Sequence, residues 1–173
     1  PEQIIRFPNQ ESLETNTSIK RDINALVNEV VSSDYVALTQ NPLYQQDPRW
    51  QTEEGRSAMI QADKLRFLRE YQLQAIKTIQ EAVGQGKKSF LVEMATGTGK
   101  TLTSAAIIKL VIHTQNASRV LFLVDRLELE NQAFKNFRDY LKPDITTVIY
   151  KEHKDDWQRA EVVVTTIQSI MHD

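Results

Sequence analysis

Ser89-Phe90-Leu91-Val92-Glu93-Met94-Ala95-Thr96-Gly97-Thr98-Gly99-Lys100-Thr101, with the apolar run from Leu102 to Ile112 behind it, is the stretch that decides the fold. Ser89 to Glu93 reads as a short strand, and Leu102 to Ile112, apolar nearly all round, reads as a buried helix. Between them, glycines let the backbone turn tightly, so that successive N–H groups point inward at phosphate oxygens. The helix behind adds its positive N-terminal end. Lys100 is placed to reach the β- and γ-phosphates of a nucleoside triphosphate, and the Thr101 hydroxyl to ligate Mg²⁺. Ala95, Thr96, Gly97, Thr98, Gly99, Lys100 and Thr101 are therefore the expected site for ATP with Mg²⁺. Lys100 and Thr101 carry the chemistry, and Thr101 is the metal ligand. A glycine turn with a chance Lys-Thr would not need this strand before it and this helix behind it. The general phosphate-loop pattern begins with a glycine where this chain has Met94.

Working outward from the loop, strands and helices alternate. Upstream, a helix runs from near Glu70 to Val83 with Ile76, Ile79 and Val83 on one face, closed by Gly84-Gln85-Gly86. Downstream, Arg119 to Val124 is a continuous apolar strand of the kind parallel sheets contain. A helix follows from about Leu127 to Leu141, with Ala133, Phe134, Phe137, Tyr140 and Leu141 on one face and Pro143 as its stop. Thr146 to Tyr150 and Glu161 to Thr165 are two more strands. This alternation predicts an α/β fold with a doubly wound, mainly parallel sheet.

The N-terminal third differs. Residues 1 to about 17 are polar and aperiodic and read as a tail or linker. Ile19, Ile23, Leu26, Val27, Val30 and Val31 form one face of a helix, capped by Thr17 or Ser18 and ended by Ser32-Ser33-Asp34. Residues 40–55 hold Asn41-Pro42 and Asp47-Pro48 among polar side chains, a loop signature. The expected organisation is an N-terminal linker and helical appendage over 1–60 and an α/β domain over 61–173.

Composition sets outer bounds. The 173 residues suit one α/β domain with an appendage, and a hydrophobic share of 40% is enough for a packed core. A net charge of −2 announces no global basic field, so any nucleic-acid contact is local. The chain has no cysteine, which removes disulfide frameworks and thiolate metal sites. No apolar run approaches the roughly 20 residues of a membrane helix, and Pro1-Glu2-Gln3 lacks the shape of a signal peptide. The expectation is a soluble cytoplasmic protein.

Hydrolysis also needs an acid at a second strand end to hold Mg²⁺ through water. Asp125 ends an apolar strand, but Arg126 follows it where a glutamate would be expected, and Asp155-Asp156 follows no strand and reads as a solvated loop. Upstream, Gln72 stands in Leu68-Arg69-Glu70-Tyr71-Gln72-Leu73-Gln74-Ala75-Ile76. Its amide offers a donor and an acceptor, which suits the adenine edge; the plainer reading is a surface glutamine on an amphipathic helix.

Taken together these motifs resemble those of superfamily 2 helicases and translocases. The small-x-x-Gly-x-Gly-Lys-Thr pattern is their form of the phosphate loop, matched here from Ala95-Thr96-Gly97-Thr98-Gly99-Lys100-Thr101 with Met94 at the small position, and the segment around Gln72 is similar to their adenine-recognition motif. Phe122-Leu123-Val124-Asp125-Arg126-Leu127-Glu128-Leu129-Glu130-Asn131-Gln132 resembles their motif Ia, and Val163-Val164-Thr165-Thr166-Ile167-Gln168-Ser169-Ile170 their next block. The Pro-Thr-Arg-Glu-Leu-Ala wording of DEAD-box RNA helicases is absent. The Leu-Val-Asp-Arg-x-Glu-Leu-x-x-Gln wording, over about residues 64–172, looks like the motor (R) subunit of type I restriction–modification enzymes.

That resemblance implies a RecA-like P-loop domain, here partial, belonging to an ATP-driven double-stranded DNA translocase. It also implies partnership with methyltransferase and specificity subunits. It assigns Gln72 to adenine and Arg126, Gln132, Thr165, Thr166 and Gln168 to the DNA strand. Short polar groups at strand ends suit phosphate contacts that position without reading bases. The plainer readings are helix caps for Thr165 and Thr166 and a surface ion pair of Arg126 with Glu130. The Asp-Glu motif, the second motor lobe and an acid-x-Lys nuclease cluster have no counterpart in these residues. Two other functions fit the loop: the same motor fold acting on RNA or in DNA repair or remodelling, and a module that holds ATP without hydrolysing it.

Overall fold

Three parallel strands, β1 (Val120–Val124), β2 (Thr147–Ile149) and β3 (Val162–Thr166), form a sheet in the order β1-β3-β2 in the computed structural model, which describes residues 21–152 and 158–171. Val120 pairs with Val162 and Val124 with Thr166 on one side of β3, and Thr147 with Val162 and Ile149 with Val164 on the other. The helices are α1 (Ile23–Asn28), α2 (Ala37–Gln40), α3 (Glu53–Ala62), α4 (Glu70–Gly84), α5 (Lys100–His113), α6 (Leu127–Leu141) and α7 (Ile167–Met171). The expected α/β class with a parallel sheet is borne out.

Side chains alternate across a strand, so the even-numbered residues of β1 and β3 share a face. On that face Val162 and Val164 pack with Ala133, Phe137, Leu141 and Ile145, with Val120, Phe122 and Val124 alongside. Phe137 is fully buried, its ring edge-on to Phe122 at 4.7 Å between centroids. On the odd-numbered face of β1, Leu121 and Leu123 are 56% and 49% exposed.

Helix α5 is apolar nearly all round because it is covered from two sides. Ala105 and Ile108 join the sheet cluster, whereas Ala106 and Leu110 pack with Leu26, Tyr35, Val36, Leu68 and Ile76. The segment before residue 60 thus shares a core with the segment after it. Hydrogen bonds fix the same contact: Gln80 Nε2 donates to the carbonyls of Leu26 (2.7 Å) and Glu29 (2.9 Å), and Lys109 Nζ to that of Tyr35 (2.6 Å).

Three local expectations are corrected. Arg21 and Asp22 are not helical, so the expected helix is interrupted there. The described helix begins at Ile23, capped by Asp22, whose Oδ1 accepts the Ala25 N–H at 2.8 Å, and Ile19 lies outside the described residues. Its end at Asn28 precedes the expected stop, since Glu29 turns extended where Gln80 takes its carbonyl. Residues 17 and 18, proposed as its cap, lie outside the described residues.

The stretch 40–55 is not one loop. It contains two 3₁₀ turns, Tyr44–Gln46 and Pro48–Gln51, and the start of α3. Asp47 Oδ1 caps the second turn through the Arg49 N–H (2.9 Å), and Thr52 Oγ1 caps α3 through the Gly55 N–H (3.1 Å). These polar residues act as caps. Tyr44, Met59 and Leu65 form a small core under them, with Trp50 and Phe67 at its side.

Ser89 to Glu93 is the third correction. It forms no ladder with the three strands, and Leu91 is 97% exposed. A strand exists only with a hydrogen-bonded neighbour, and β1 and β2, at the edges of the sheet, pair only with β3. Asp155-Asp156, read as a solvated loop, lies outside the described residues.

Candidate nucleotide site

Gly97 and Gly99 sit at φ +78° and +83°, in the left-handed region that side chains disfavour. Gly99 is the cap residue just before α5, and the first amides of that helix have no partner within it and open toward the loop. A Cβ at Gly99 would also lie 2.7 Å from Gln72 Nε2, so this position excludes a side chain on two grounds. At Gly97 the space is open, and only the backbone angle requires glycine.

The loop is braced from α4. Gln72 is buried; its Nε2 donates to the carbonyls of Thr98 (3.2 Å) and Gly99 (3.1 Å), and its Oε1 accepts the Arg69 N–H (2.8 Å). Both amide protons are committed to the loop, so the side chain assigned from sequence to adenine is here a strut between α4 and the glycine turn. Tyr71, which sequence reasoning did not single out, donates its hydroxyl to the Thr98 carbonyl at 2.7 Å and is partly exposed. Thr98 Oγ1 closes the turn on the Ala95 carbonyl at 2.6 Å.

Lys100 Nζ rests on the carbonyls of Met94 (3.3 Å) and Ala95 (3.0 Å), folded over the loop it belongs to. Its side chain is solvent-accessible, as are Ala95, Thr96 and Gly97; Thr101 is half-buried in the first turn of α5. Amide donors, a solvent-accessible cation and a hydroxyl at one helix end are the donor set a polyphosphate with a divalent cation requires. No group of three His, Cys, Asp or Glu side chains suited to a metal occurs among the described residues. A groove of about 400 Å³ runs between α4 and Ser89–Glu93, lined by Ala75, Ile79, Phe90 and Val92; it is the space beside the unpaired segment, away from the glycine turn.

The second set of candidates gathers where β1 and β3 end. Arg126, Gln132 and Gln168 are exposed. Thr165 and Thr166 are not: they are 0% and 1% exposed, and Thr166 Oγ1 accepts the Ser169 N–H (3.2 Å) and shares a hydrogen bond with its hydroxyl (2.6 Å). Arg126 faces Asp125 (Nε to Oδ2 3.8 Å), and the pair with Glu130 that was the plainer alternative does not form. Glu130 is instead buried, and desolvation pushes its carboxyl above the usual range against the pull of Lys151 and the Thr166 N–H. The signal for this was in the sequence: Glu130 stands at i, i+3, i+7 and i+11 with Ala133, Phe137 and Leu141, on the apolar stripe.

A glycine turn, Lys100 and Thr101 at the head of a buried helix in a parallel α/β domain define a RecA-like P-loop protein. The chain belongs to the family described as type III restriction enzyme, res subunit, which matches residues 66–173. It is similar to two Escherichia coli proteins. One is the type I restriction enzyme EcoKI endonuclease subunit of strain K12, 44% identical over 72 residues, 42% of this chain and 6% of that protein. The other is the type I restriction enzyme EcoAI endonuclease subunit, 48% identical over 68 residues, 39% of this chain and 8% of that protein. A Staphylococcus saprophyticus type I endonuclease subunit, SsaAORF53P, is 29% identical over 111 residues, 61% of this chain and 12% of that protein. The likeness to type I restriction subunits read from the motifs is borne out, and the chain spans a small fraction of their length. No helix is long and apolar enough to cross a membrane among the described residues.

Proposed function

We propose that this chain is the ATP-binding part of an ATP-dependent double-stranded DNA translocase, the motor of a type I restriction enzyme acting in the cytoplasm. The observation that carries the reading is the glycine turn at the head of α5, with Lys100 and Thr101 beside open amides. Residues 61–173 are taken as the N-terminal part of the first motor domain, onto which the segment from Asp22 is packed.

ATP with Mg²⁺ supplies a high-energy phosphoanhydride whose hydrolysis drives stepping. The residues of this chain bind and orient it. The amides of Gly97 and Gly99 and the Lys100 ammonium would hold the phosphates, and the Thr101 hydroxyl would hold Mg²⁺; the Thr98 amide donates instead to the Ala95 carbonyl (3.4 Å) and closes the turn. Gln72 and Tyr71 hold the turn through the Thr98 and Gly99 carbonyls. Arg126, Gln132 and Gln168 contact the DNA backbone, with Thr165 and Thr166 shaping the turn beneath. Methyltransferase and specificity subunits are the partners, the latter choosing the DNA sequence.

Titration of the full-length protein with ATP, comparing wild type with Lys100→Ala, tests the site. The affinity is expected to fall by about 100-fold, the scale of lost charge-assisted bonds. Equal affinities would mean that the loop is not the site. ATP hydrolysis measured with duplex DNA and with RNA then separates the tracks, and a response to RNA alone would remove the restriction assignment.

A further inference from the structure

Helix α6 has a charged face besides its buried one. Gln132, Lys135, Arg138 and Lys142 follow one another at spacings of three or four residues, so they are neighbours down the solvent side, away from Ala133, Phe137 and Leu141. All are exposed, and Lys135, Arg138 and Lys142 make no ion pair among the described residues. Arg138 lies over the Phe134 ring, 5.9 Å from its centroid. Asp139 is the one acid of α6 after Glu130, and Asp144 follows beyond the helix.

Tertiary structure adds a further cation to this row. Gln40 Nε2 donates to the carbonyls of Lys64 and Asp139, both at 3.0 Å, and its Oε1 accepts the Arg66 N–H (2.8 Å). One side chain thus fastens residues 64–66 to the last turn of α6, with Lys64 Nζ 3.8 Å from Asp139 Oδ2. Lys64 has φ +52°, in the left-handed region, just past α3, where the Leu65 N–H closes the helix end on the Ile60 carbonyl (3.1 Å). Such a helix end favours glycine. The pair with Asp139 is 67% and 47% exposed, too open to offset the unfavourable angle. A lysine at 64 is better explained by what its ammonium meets in solution than by what it does for the fold.

We propose that Lys64, Lys135, Arg138 and Lys142 form a phosphate-binding row that continues the duplex contact from the strand ends along α6. The partner rests on the DNA reading above; the place rests on the row itself. Lys135 to Lys142 extend over about 10 Å at 1.5 Å per residue, the rise of about three nucleotides of one strand. The exposed large apolar residues of α6, Leu127 and Leu129, stand in its first turn, outside the row. A protein partner would call for an apolar centre poor in lysine, whereas a phosphate backbone calls for cations spaced along it.

The test is the salt dependence of duplex affinity, measured with the full-length protein and a duplex of arbitrary sequence. Combining Lys135→Gln, Arg138→Gln and Lys142→Gln should lower the slope of log affinity against log salt by about 2–3, and weaken binding at low salt by about tenfold or more. Lys64→Gly should lower the slope by about 1 without lowering the melting temperature, because glycine suits the angle. A wild-type slope in the triple variant would overturn the proposal. An equal fall after Lys77→Gln, Lys87→Gln and Lys88→Gln, exposed lysines outside the row, would trace the effect to net charge and overturn it too. Weaker assembly with the methyltransferase subunit at an unchanged slope would assign the row to a protein, with the same consequence. Arg126→Ala separates the row from the reading it rests on. A lower slope in the triple variant alone keeps the row as a duplex contact and removes the strand-end contact; a lower slope in Arg126→Ala alone does the reverse. If neither moves, both fail.

Discussion

The half of the molecule around β3 and the half around the glycine turn start from the same kind of sequence and end differently. Val162-Val163-Val164 and Phe90-Leu91-Val92 are both short apolar runs, yet the first is buried between two partner strands and the second stands without a ladder. The difference is not propensity. β3 has neighbours on both edges and α6 on its even face, whereas among the described residues Ser89 to Glu93 pairs with no strand and lies across a groove from Ala75, Thr78, Ile79 and Ala82 of α4. An apolar run states that a segment is to be covered; other segments decide whether it is.

The strongest way to break that comparison is to cut each half at its centre. Phe137→Ala removes a fully buried ring packed on Phe122, and is expected to lower stability by about 3–5 kcal/mol in denaturant unfolding of this chain. Leu91→Ala in the same chain should change it by less than about 0.5 kcal/mol, as exposed sites do. A Leu91→Ala loss comparable to that of Phe137→Ala would mean that Ser89–Glu93 is covered after all.

Gln72→Ala comes next, because Gln72 is where the closed half reaches the open one. It leaves the Arg69 N–H without its side-chain acceptor and the Thr98 and Gly99 carbonyls without their donor, at about 1–3 kcal/mol. Faster amide exchange over residues 96–100, beyond that of the sheet, is the expected signature. Uniform exchange would mean that the glycine turn does not depend on the strut.

Thr52→Ala is smaller, about 1 kcal/mol for a lost cap at α3. It tests whether the minor core under Tyr44 and Met59 is coupled to the rest; thermal melting should remain a single transition, and a separate early one would show that it is not.

The smallest effect is a pH slope in the closed half. Burial raises the Glu130 carboxyl above its usual 4.5, with Glu152 adding to this and Lys151 and the Thr166 N–H opposing it. The folded state therefore binds the proton more tightly than the unfolded chain. This contribution to stability is complete below the unfolded value and is lost as pH rises through the folded one. Stability of Glu130→Gln should lack that decline, and an identical pH profile in the two proteins would contradict it.

Much of this was legible in the residues, and the failures share a cause. Helix α4, helix α6 and the strand pair β1 and β3 emerged at nearly the expected bounds, since period and stop signals such as Pro143 are local. The cap at Asp22 was not read from the sequence, because Thr17, Ser18 and Asp22 are all capable caps. Asp47 and Thr52 read as loop residues, although each is followed by the short helix it caps. In the site, the glycine turn was legible in full, whereas the strut role of Gln72 and the burial of Thr165 and Thr166 depend on what lies across from them.

The sequence by itself determined the phosphate loop and the alternation of strands and helices, because glycine angles, caps and apolar periods act within a few residues. Only the tertiary structure decided that β3 lies between β1 and β2, that Gln72 faces the loop, that Glu130 is buried, and that Phe90 to Val92 have no ladder. Each of these depends on a hydrogen-bond or packing partner distant in the chain, and no short stretch of sequence contains its own partner.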